Sequence, residues 1–309
     1  FGVEGRGLIG ILAYSMTLLM LISEFVGGSS LITLVPDHKL KNLLFPSYLW
    51  AFIVCSIGYL VLPYWPEVPS AVHVHIFFLS LILAFITINY SLLIGKQKIR
   101  WQNWSSLSIV LVTLLFLILV LLILDKHDVI YYIYALYLGE GVGFIISIYL
   151  LISHFKNEFS GGFKIEPDLF KQGFLSQSGH LIQFFNYRLS YFFILAYLSQ
   201  SALGLYATVF VLPDTIWIFG NSIGTVLHMK VVNKTEKDLT GLTLKYLKMS
   251  TMITGVLILI VLIIPAEFWA WLLGNDFIGI KEIFYWLVPG TLALGISTCI
   301  SHYYHAIKQ

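Results

Sequence analysis

Charge is scarce in this sequence, and so is cysteine. Of its 309 residues only 11% are Asp, Glu, Lys or Arg, against about 25% in a soluble domain. With 58% hydrophobic residues, the apolar side chains exceed what one soluble core hides, and a water-soluble globular domain is excluded. A formal net charge of +2 gives no ground for a polyanionic partner, and no basic stripe interleaved with aromatics points to nucleic acid. The two cysteines, Cys55 and Cys299, lie inside apolar segments, and no Cys/His cluster has ligand spacing. Neither a disulfide nor a metal site is expected. There is no GxxxxGK[ST] loop, nucleophile elbow or zinc motif. ATP hydrolysis of the P-loop kind is excluded, no cofactor is expected, and the chain reads as a non-enzyme.

What the sequence has instead is long apolar runs, near or above the ~20 residues that a helix needs to cross ~30 Å of hydrocarbon. They predict an all-α, polytopic transmembrane bundle with about nine spans, near residues 8–34, 46–63, 72–95, 105–124, 129–153, 170–198, 203–229, 243–265 and 279–305. Lysine and arginine are enriched in short cytoplasmic loops. One set of alternate connections holds fourteen of them: Lys39, Lys41, Lys96, Lys98, Arg100, Lys156, Lys164, Lys171, Lys230, Lys234, Lys237, Lys245, Lys248 and Lys308. The other set holds three, Arg6, Lys126 and Lys281, and the remaining one is Arg188. The first set is therefore cytoplasmic and Phe1 lies outside. An outside start that enters an apolar helix at Gly7, without room for a cleavable signal, implies one further helix upstream.

External connections are short or acidic, with Glu67 in one and Asp125 to Asp128 another, and none could house a soluble catalytic domain. Glu267 to Asp276, with Trp269 and Trp271, reads as a short helix in the outer interface. Gly161, Gly162 and Pro167 suit a flexible connection. The predicted organisation is therefore an N-terminal lobe at 1–155, a cytoplasmic linker at 156–168 and a C-terminal lobe at 169–309. A shift of 197 residues lays Gly7, Leu8, Gly27 and Val35 on Gly204, Leu205, Gly224 and Val232. That supports a parallel repeat of the kind found in transporters.

An ionisable group at the bilayer centre costs at least ~2.5 kcal/mol, so each one there needs a reason. Arg188 lies ~15 Å from the outer end of its span, about the midplane. Glu140 and Asp214 sit at similar depth, and Glu24 lies closer to the cytoplasm. Gln177, His180 and Tyr191 fall within about 80° of Arg188 on a helical wheel, while Gln183, Asn186 and Ser190 occupy the other side. A helix polar on both faces belongs in protein or a water-filled cavity. Arg188 has two readings: an ion pair with Asp214 or Glu140, or a fork of donors that recognises phosphate. The pattern alone tips slightly toward the pair. For Glu24, Glu140 and Asp214, coupling to H+ or Na+ stands level with interhelical hydrogen bonding. His180 reads as a hydrogen-bonded bundle residue, His228, His302 and His305 as solvated helix ends, and Pro213 and Pro289 as kinks within spans.

Three stretches resemble a known family. FGVEGRGLIGILAYS is similar to the first external turn and second helix of the polysaccharide and O-antigen flippases, members of the multidrug/oligosaccharidyl-lipid/polysaccharide exporter superfamily. HLIQFFNYRLSYFFILAYLSQSALGLYATVFVLPDTIWIFGNSIGTVL resembles their seventh and eighth helices, and GNDFIGIKEIFYWLVPGTLALGIS their tenth. The resemblance implies helices two to ten of a twelve- to fourteen-helix, two-bundle exporter in a bacterial inner membrane. It also implies alternating access around a central cavity that binds a polyprenyl-diphosphate-linked oligosaccharide, without nucleic acid and as a monomer. It raises the phosphate reading of Arg188, with Gln177, His180, Asn186 and Tyr191 as substrate-binding neighbours. Where the family's seventh helix commonly reads NYRLD, residues 186–190 read NYRLS, and Asp214 is a candidate for the missing aspartate. A cation-coupled drug exporter of the same superfamily and a membrane-embedded polysaccharide polymerase are the alternatives.

Overall fold

A segment crossing hydrocarbon has no water for its peptide groups, and a helix satisfies them within itself. The computed structural model describes residues 1–65, 68–160, 164, 166–232 and 238–307. Glu67, Gly161, Gly162, Lys234, Lys237, Lys308 and the side chain of His305 lie outside the described residues. The described residues form α-helices and short 3-10 or π turns. In chain order the α-helices are α1 (Gly2–Ser23), α2 (Gly28–Leu34), α3 (Leu40–Val61), α4 (Ser70–Gly95), α5 (Ile99–Ile118), α6 (Val129–Phe155), α7 (Pro167–Tyr197), α8 (Gln200–Val232), α9 (Leu239–Ile263), α10 (Ala266–Leu273) and α11 (Ile280–Ile307).

Eight segments are long and apolar enough to cross a membrane: α1 continued through α2, then α3, α4, α5, α6, α8, α9 and α11. The chain is a multi-pass membrane protein. The ninth expected span forms as α7, which has the length, at 31 residues, but lacks the apolarity because Gln177, His180, Gln183, Asn186 and Arg188 interrupt it. The first span is also not the continuous helix expected over 8–34. After α1 comes a 3-10 turn at Glu24–Val26, then Gly27 is extended and Gly28 turns to φ +53 before α2 begins. That value suits glycine, which has no Cβ to collide with the backbone.

The helices cluster into two compact units. The first comprises Phe1 and residues 8–199. One apolar core of this unit gathers Leu31, Leu40, Leu43, Ala84, Leu92 and Leu151 from α2, α3, α4 and α6. Polar side chains also link α3, α4, α5 and α6. Tyr48 Oη donates to Asn89 Oδ1 at 2.8 Å, Asn89 Nδ2 donates to Ser147 Oγ at 2.9 Å, and Tyr90 Oη donates to Ser105 Oγ at 3.0 Å. Small residues let α5 and α6 close up. A Cβ at Gly139 would meet Thr113 Oγ1 at 2.1 Å, and one at Gly143 would meet Ile109 Cδ1 at 2.4 Å. The far side of α5 and of the π turn Leu119–Ile123 after it is bare apolar surface, with Leu114, Leu115 and Leu122 exposed, as lipid contact requires. Three of the lysine-bearing connections meet at one end of this unit. Lys96 pairs with Glu158 at 2.8 Å, His38 with Glu166 at 3.3 Å, and Lys39 Nζ donates to the Ser160 carbonyl at 3.3 Å. Alternate connections of a membrane-crossing chain must share a side, and these do.

The second unit comprises residues 2–7 and 200–309. Val209, Ile216, Ile258, Phe277, Ile280 and Phe284 form its core between α8, α9 and α11. Trp217 Nε1 donates to Thr298 Oγ1 at 3.0 Å, and Ser250 Oγ donates to the Gly295 carbonyl at 3.1 Å. The start of α1 crosses the start of α8 through Gly7 and Gly204, two residues that the 197-residue shift superposes. The expected interfacial helix forms as α10, with Trp271 exposed. His228 and His302, expected to be solvated, are bonded instead. His302 Nε2 meets Asn221 Oδ1 at 2.9 Å, and His228 Nδ1 meets the His302 carbonyl at 3.2 Å. Pro213 and Pro289 lie inside α8 and α11, and Cys55 and Cys299 are buried thiols.

The lobe boundary expected at 156–168 and the boundary drawn by contacts differ. Contacts place α7 with the first unit and change over at Ser199–Gln200, because α7 binds the α1–α2 break.

Candidate functional site

Helix α7 organises the site, and its sequence sorts into three faces. At 100° per residue, Gly173, Gln177, Phe184 and Tyr191 fall within an arc of roughly 40°, and all four are buried. Leu175, Ile182, Phe185, Leu189 and Phe193 occupy a second face and are exposed, as an apolar medium allows. The third face, roughly 120° wide, carries Gln172, His180, Gln183, Asn186, Tyr187 and Ser190. On it His180, Gln183 and Asn186 are exposed.

Arg188 stands beside the buried face and leans back across it. Its Nη1 donates to Tyr191 Oη at 2.9 Å, and its guanidinium carbon lies 5.2 Å from the Tyr191 ring centroid. Tyr191 is itself anchored, stacked at 6.2 Å on Tyr14, whose ring also meets Phe184 at 4.9 Å and Phe192 at 4.5 Å. Trp65 closes the far side of Phe192 at 4.5 Å. The guanidinium is thus half-buried and oriented by an aromatic shelf in which every ring is held by another.

Of the neighbours expected for Arg188, the structure brings Tyr191 to it and sends Gln177 elsewhere. Eleven residues separate Gln177 from Arg188, about 16 Å along a helix, and the Gln177 amide donates to the Glu24 carboxylate. A Cβ at Gly28 would come within 2.7 Å of Gln177 Nε2, and a Cβ at Gly173 within 2.1 Å of the Phe25 carbonyl. Glycine at both positions is what lets α7 dock on the break. His180 is exposed and makes no hydrogen bond among the described residues, which corrects its reading as a bonded bundle residue. Asn186 is also exposed.

Glu140 is buried on α6, and its Oε2 has no hydrogen-bond partner among the described residues. It makes no ion pair there, which removes it as the counter-ion of Arg188. Asp214 lies in the second unit, half-buried on α8 next to Pro213.

Sequence reasoning missed the surroundings of the break. Ser29, Ser30, Thr33, Gln172 and Leu175 line a cavity of about 460 Å³ between α2 and α7. The signal was the run Gly27, Gly28, Ser29, Ser30 inside an otherwise apolar span: two glycines to interrupt the helix, two hydroxyls to line what opens.

This architecture has been seen before. It is a polytopic helical exporter fold. A solved structure described as the inward-facing conformation of a multidrug resistance MATE family transporter of the MOP superfamily superposes with a TM-score of 0.67 at 13% identity, over 99% of this chain and 80% of that one. At this identity the likeness concerns the fold alone. No family model matches the sequence, and no curated protein does.

Proposed function

We propose that the chain is a flippase that moves a polyprenyl-diphosphate-linked oligosaccharide, such as an O-antigen repeat unit, across a bacterial inner membrane by alternating access. It acts by transport, without a cofactor. The observation that carries this reading is the three-faced α7. A helix of spanning length with one buried face, one apolar exposed face and one polar exposed face lines a wet path. Hydroxyl-rich sugars need such a path, and amides like Gln183 and Asn186 suit them. Arg188 supplies a planar fork of donors for a diphosphate, and the aromatic shelf under it limits how far the fork can turn. His180, Asn186, Gln177 and Tyr191 serve as neighbours or supports of that path, and Asp214 as a second charged group on α8.

Arg188→Ala should abolish surface polysaccharide in cells while the protein stays in the membrane at normal level. Arg188→Lys should recover only part, since a lysine is a point charge without the bidentate fork. Normal polysaccharide in Arg188→Ala defeats the assignment.

The fold also supports a second reading, a cation-coupled multidrug exporter, favoured by the half-buried Glu24 and the buried Glu140. Drug resistance on expression, with no sugar-export defect on deletion, would select it.

A further inference from the structure

We propose that the start of α5 binds the headgroup of an anionic phospholipid, with the exposed leucine stripe of the same helix as the bed for its acyl chains. The site lies wholly within the first unit, at the end where its lysine-bearing connections meet, and uses none of the residues around Arg188.

Two positive charges stand there without a protein counter-ion. Nearby cations are engaged: Lys96 pairs with Glu158 at 2.8 Å, and Lys39 Nζ donates to the Ser160 carbonyl at 3.3 Å. Lys98 and Arg100 make no ion pair among the described residues. Lys98 Nζ lies 5.4 Å from the Trp101 ring centroid, and Trp101 is backed by the His154 ring of α6 at 3.8 Å. The turn that carries these charges is firmly closed. Gln97 sits at φ +59, its N–H donates to the Ile94 carbonyl at 2.8 Å, and the Lys98 N–H donates to the Leu93 carbonyl at 2.8 Å. That pair of bonds is a Schellman motif, and it sets Lys98 at the N-cap of α5.

Below the charges the helix presents one continuous stripe. At 100° per residue, Arg100, Trp104, Leu107, Leu111 and Leu114 fall within an arc of roughly 80°, and all five are exposed. Their order along the helix is that of a phospholipid: charge, then an indole of the kind that settles at headgroup level, then hydrocarbon. From Trp104 to Leu114 is about 15 Å of helix, half of the ~30 Å hydrocarbon core and so the depth of one leaflet.

The chemistry selects the occupant. A guanidinium takes a phosphodiester through parallel N–H donors. Two cations without counter-ions favour a lipid with net negative charge, whereas the ammonium of a zwitterionic headgroup would be repelled. A protein partner would have to bring an acidic group and an apolar helix together; an anionic phospholipid brings both in one molecule.

The test is tryptophan quenching in the purified full chain, reconstituted into phosphatidylcholine vesicles that carry a rising fraction of phosphatidylglycerol brominated on its chains. Brominated phosphatidylcholine is the neutral control, and Trp104→Phe, measured in parallel, isolates the Trp104 signal by difference. Each basic residue at an anionic membrane surface strengthens binding about fivefold, so phosphatidylglycerol should be preferred at Trp104 on the order of 25-fold. Lys98→Gln and Arg100→Gln should each lower that preference about fivefold, the double variant should bring it near one, and Arg100→Lys should keep most of it. Inorganic phosphate should displace the lipid no better than sodium chloride of equal ionic strength. The proposal is overturned if the two brominated lipids quench Trp104 equally, if neither reaches it, if the double variant keeps the parent's preference, or if inorganic phosphate competes beyond its ionic strength, which would make this a site for free phosphate.

Discussion

Replacing Gly204 by alanine tests the helix crossing at the start of the second unit. A Cβ there would lie 1.9 Å from the Val3 carbonyl oxygen and 2.7 Å from the Gly7 nitrogen. Both are backbone atoms, and Gln200 Nε2, which donates to the Glu4 carbonyl at 2.9 Å, ties the same turn down. No side chain can swing away, so one helix must shift by about 1 Å, an overpacking that costs roughly 1–3 kcal/mol. Alanine also gains up to about 1 kcal/mol over glycine in a helix interior, which would mask part of the cost. Gly255→Ala on α9 is the internal standard, since nothing lies within 4 Å of its Cβ and it collects the propensity gain alone. The difference between the two variants therefore isolates the clash. At roughly 2–4 °C per kcal/mol, the value for chains of 150–250 residues, a cost of roughly 1–3 kcal/mol should make Gly204→Ala melt about 2–12 °C below Gly255→Ala. The assay is a detergent-solubilised thermal unfolding curve followed by size-exclusion fluorescence. Equal melting temperatures would show that α1 and α8 do not cross through these glycines.

Asn89→Leu removes the hub that accepts from Tyr48 and donates to Ser147; with two interhelical bonds worth about 0.6 kcal/mol each in membrane bundles and two partners left unsatisfied, unfolding in a denaturing detergent should come easier by about 1–3 kcal/mol. For topology, single cysteines at Lys98 and Lys126 should react with a membrane-impermeant maleimide from opposite sides, Lys126 from outside in intact cells. Cys55 and Cys299 are buried and should stay silent, so labelling of both new cysteines from one side would refute the orientation.

The spans were legible because apolarity over some twenty residues is a property of composition. Continuity of a helix is not. Residues 8–34 qualify as one span by length and composition, yet the helix breaks at Gly27 and Gly28, and the glycine pair followed by Ser29 and Ser30 gave notice. The candidate site was legible in part for a similar reason. A helical wheel grouped Gln177 and Tyr191 with Arg188 by angle, and the angle was right, since both side chains lie on the buried face of α7. The wheel discards the axial coordinate, and about 16 Å of helix sends Gln177 to Glu24 and leaves Tyr191 with the guanidinium. Glu140 fits an ion pair by depth alone, but which face of α6 it occupies relative to α7 is set by how α4, α5 and α6 nest. That nesting depends on Gly139 and Gly143, not on any charge.

The polar face of α7 constrains its surroundings more tightly than any single residue does. His180, Gln183 and Asn186 are exposed on a helix whose opposite exposed face carries Ile182, Leu189 and Phe193. Moving an amide from water into hydrocarbon without a partner costs about 4–8 kcal/mol on the cyclohexane scale and about 1–3 kcal/mol by protein mutation. Three such groups facing lipid would cost on the order of 5 kcal/mol even on the lenient scale, comparable to the whole stability of a domain. The span of α5 shows what a lipid face looks like here, with Leu107, Leu111, Leu114 and Leu115 exposed. One exposed face of α7 can therefore meet lipid and the other must meet water or a polar solute. A spanning-length helix with both surfaces is what the proposed transport path requires, and Arg188, held by Tyr191 at the margin of the buried face, is the charged group that reading assigns to it.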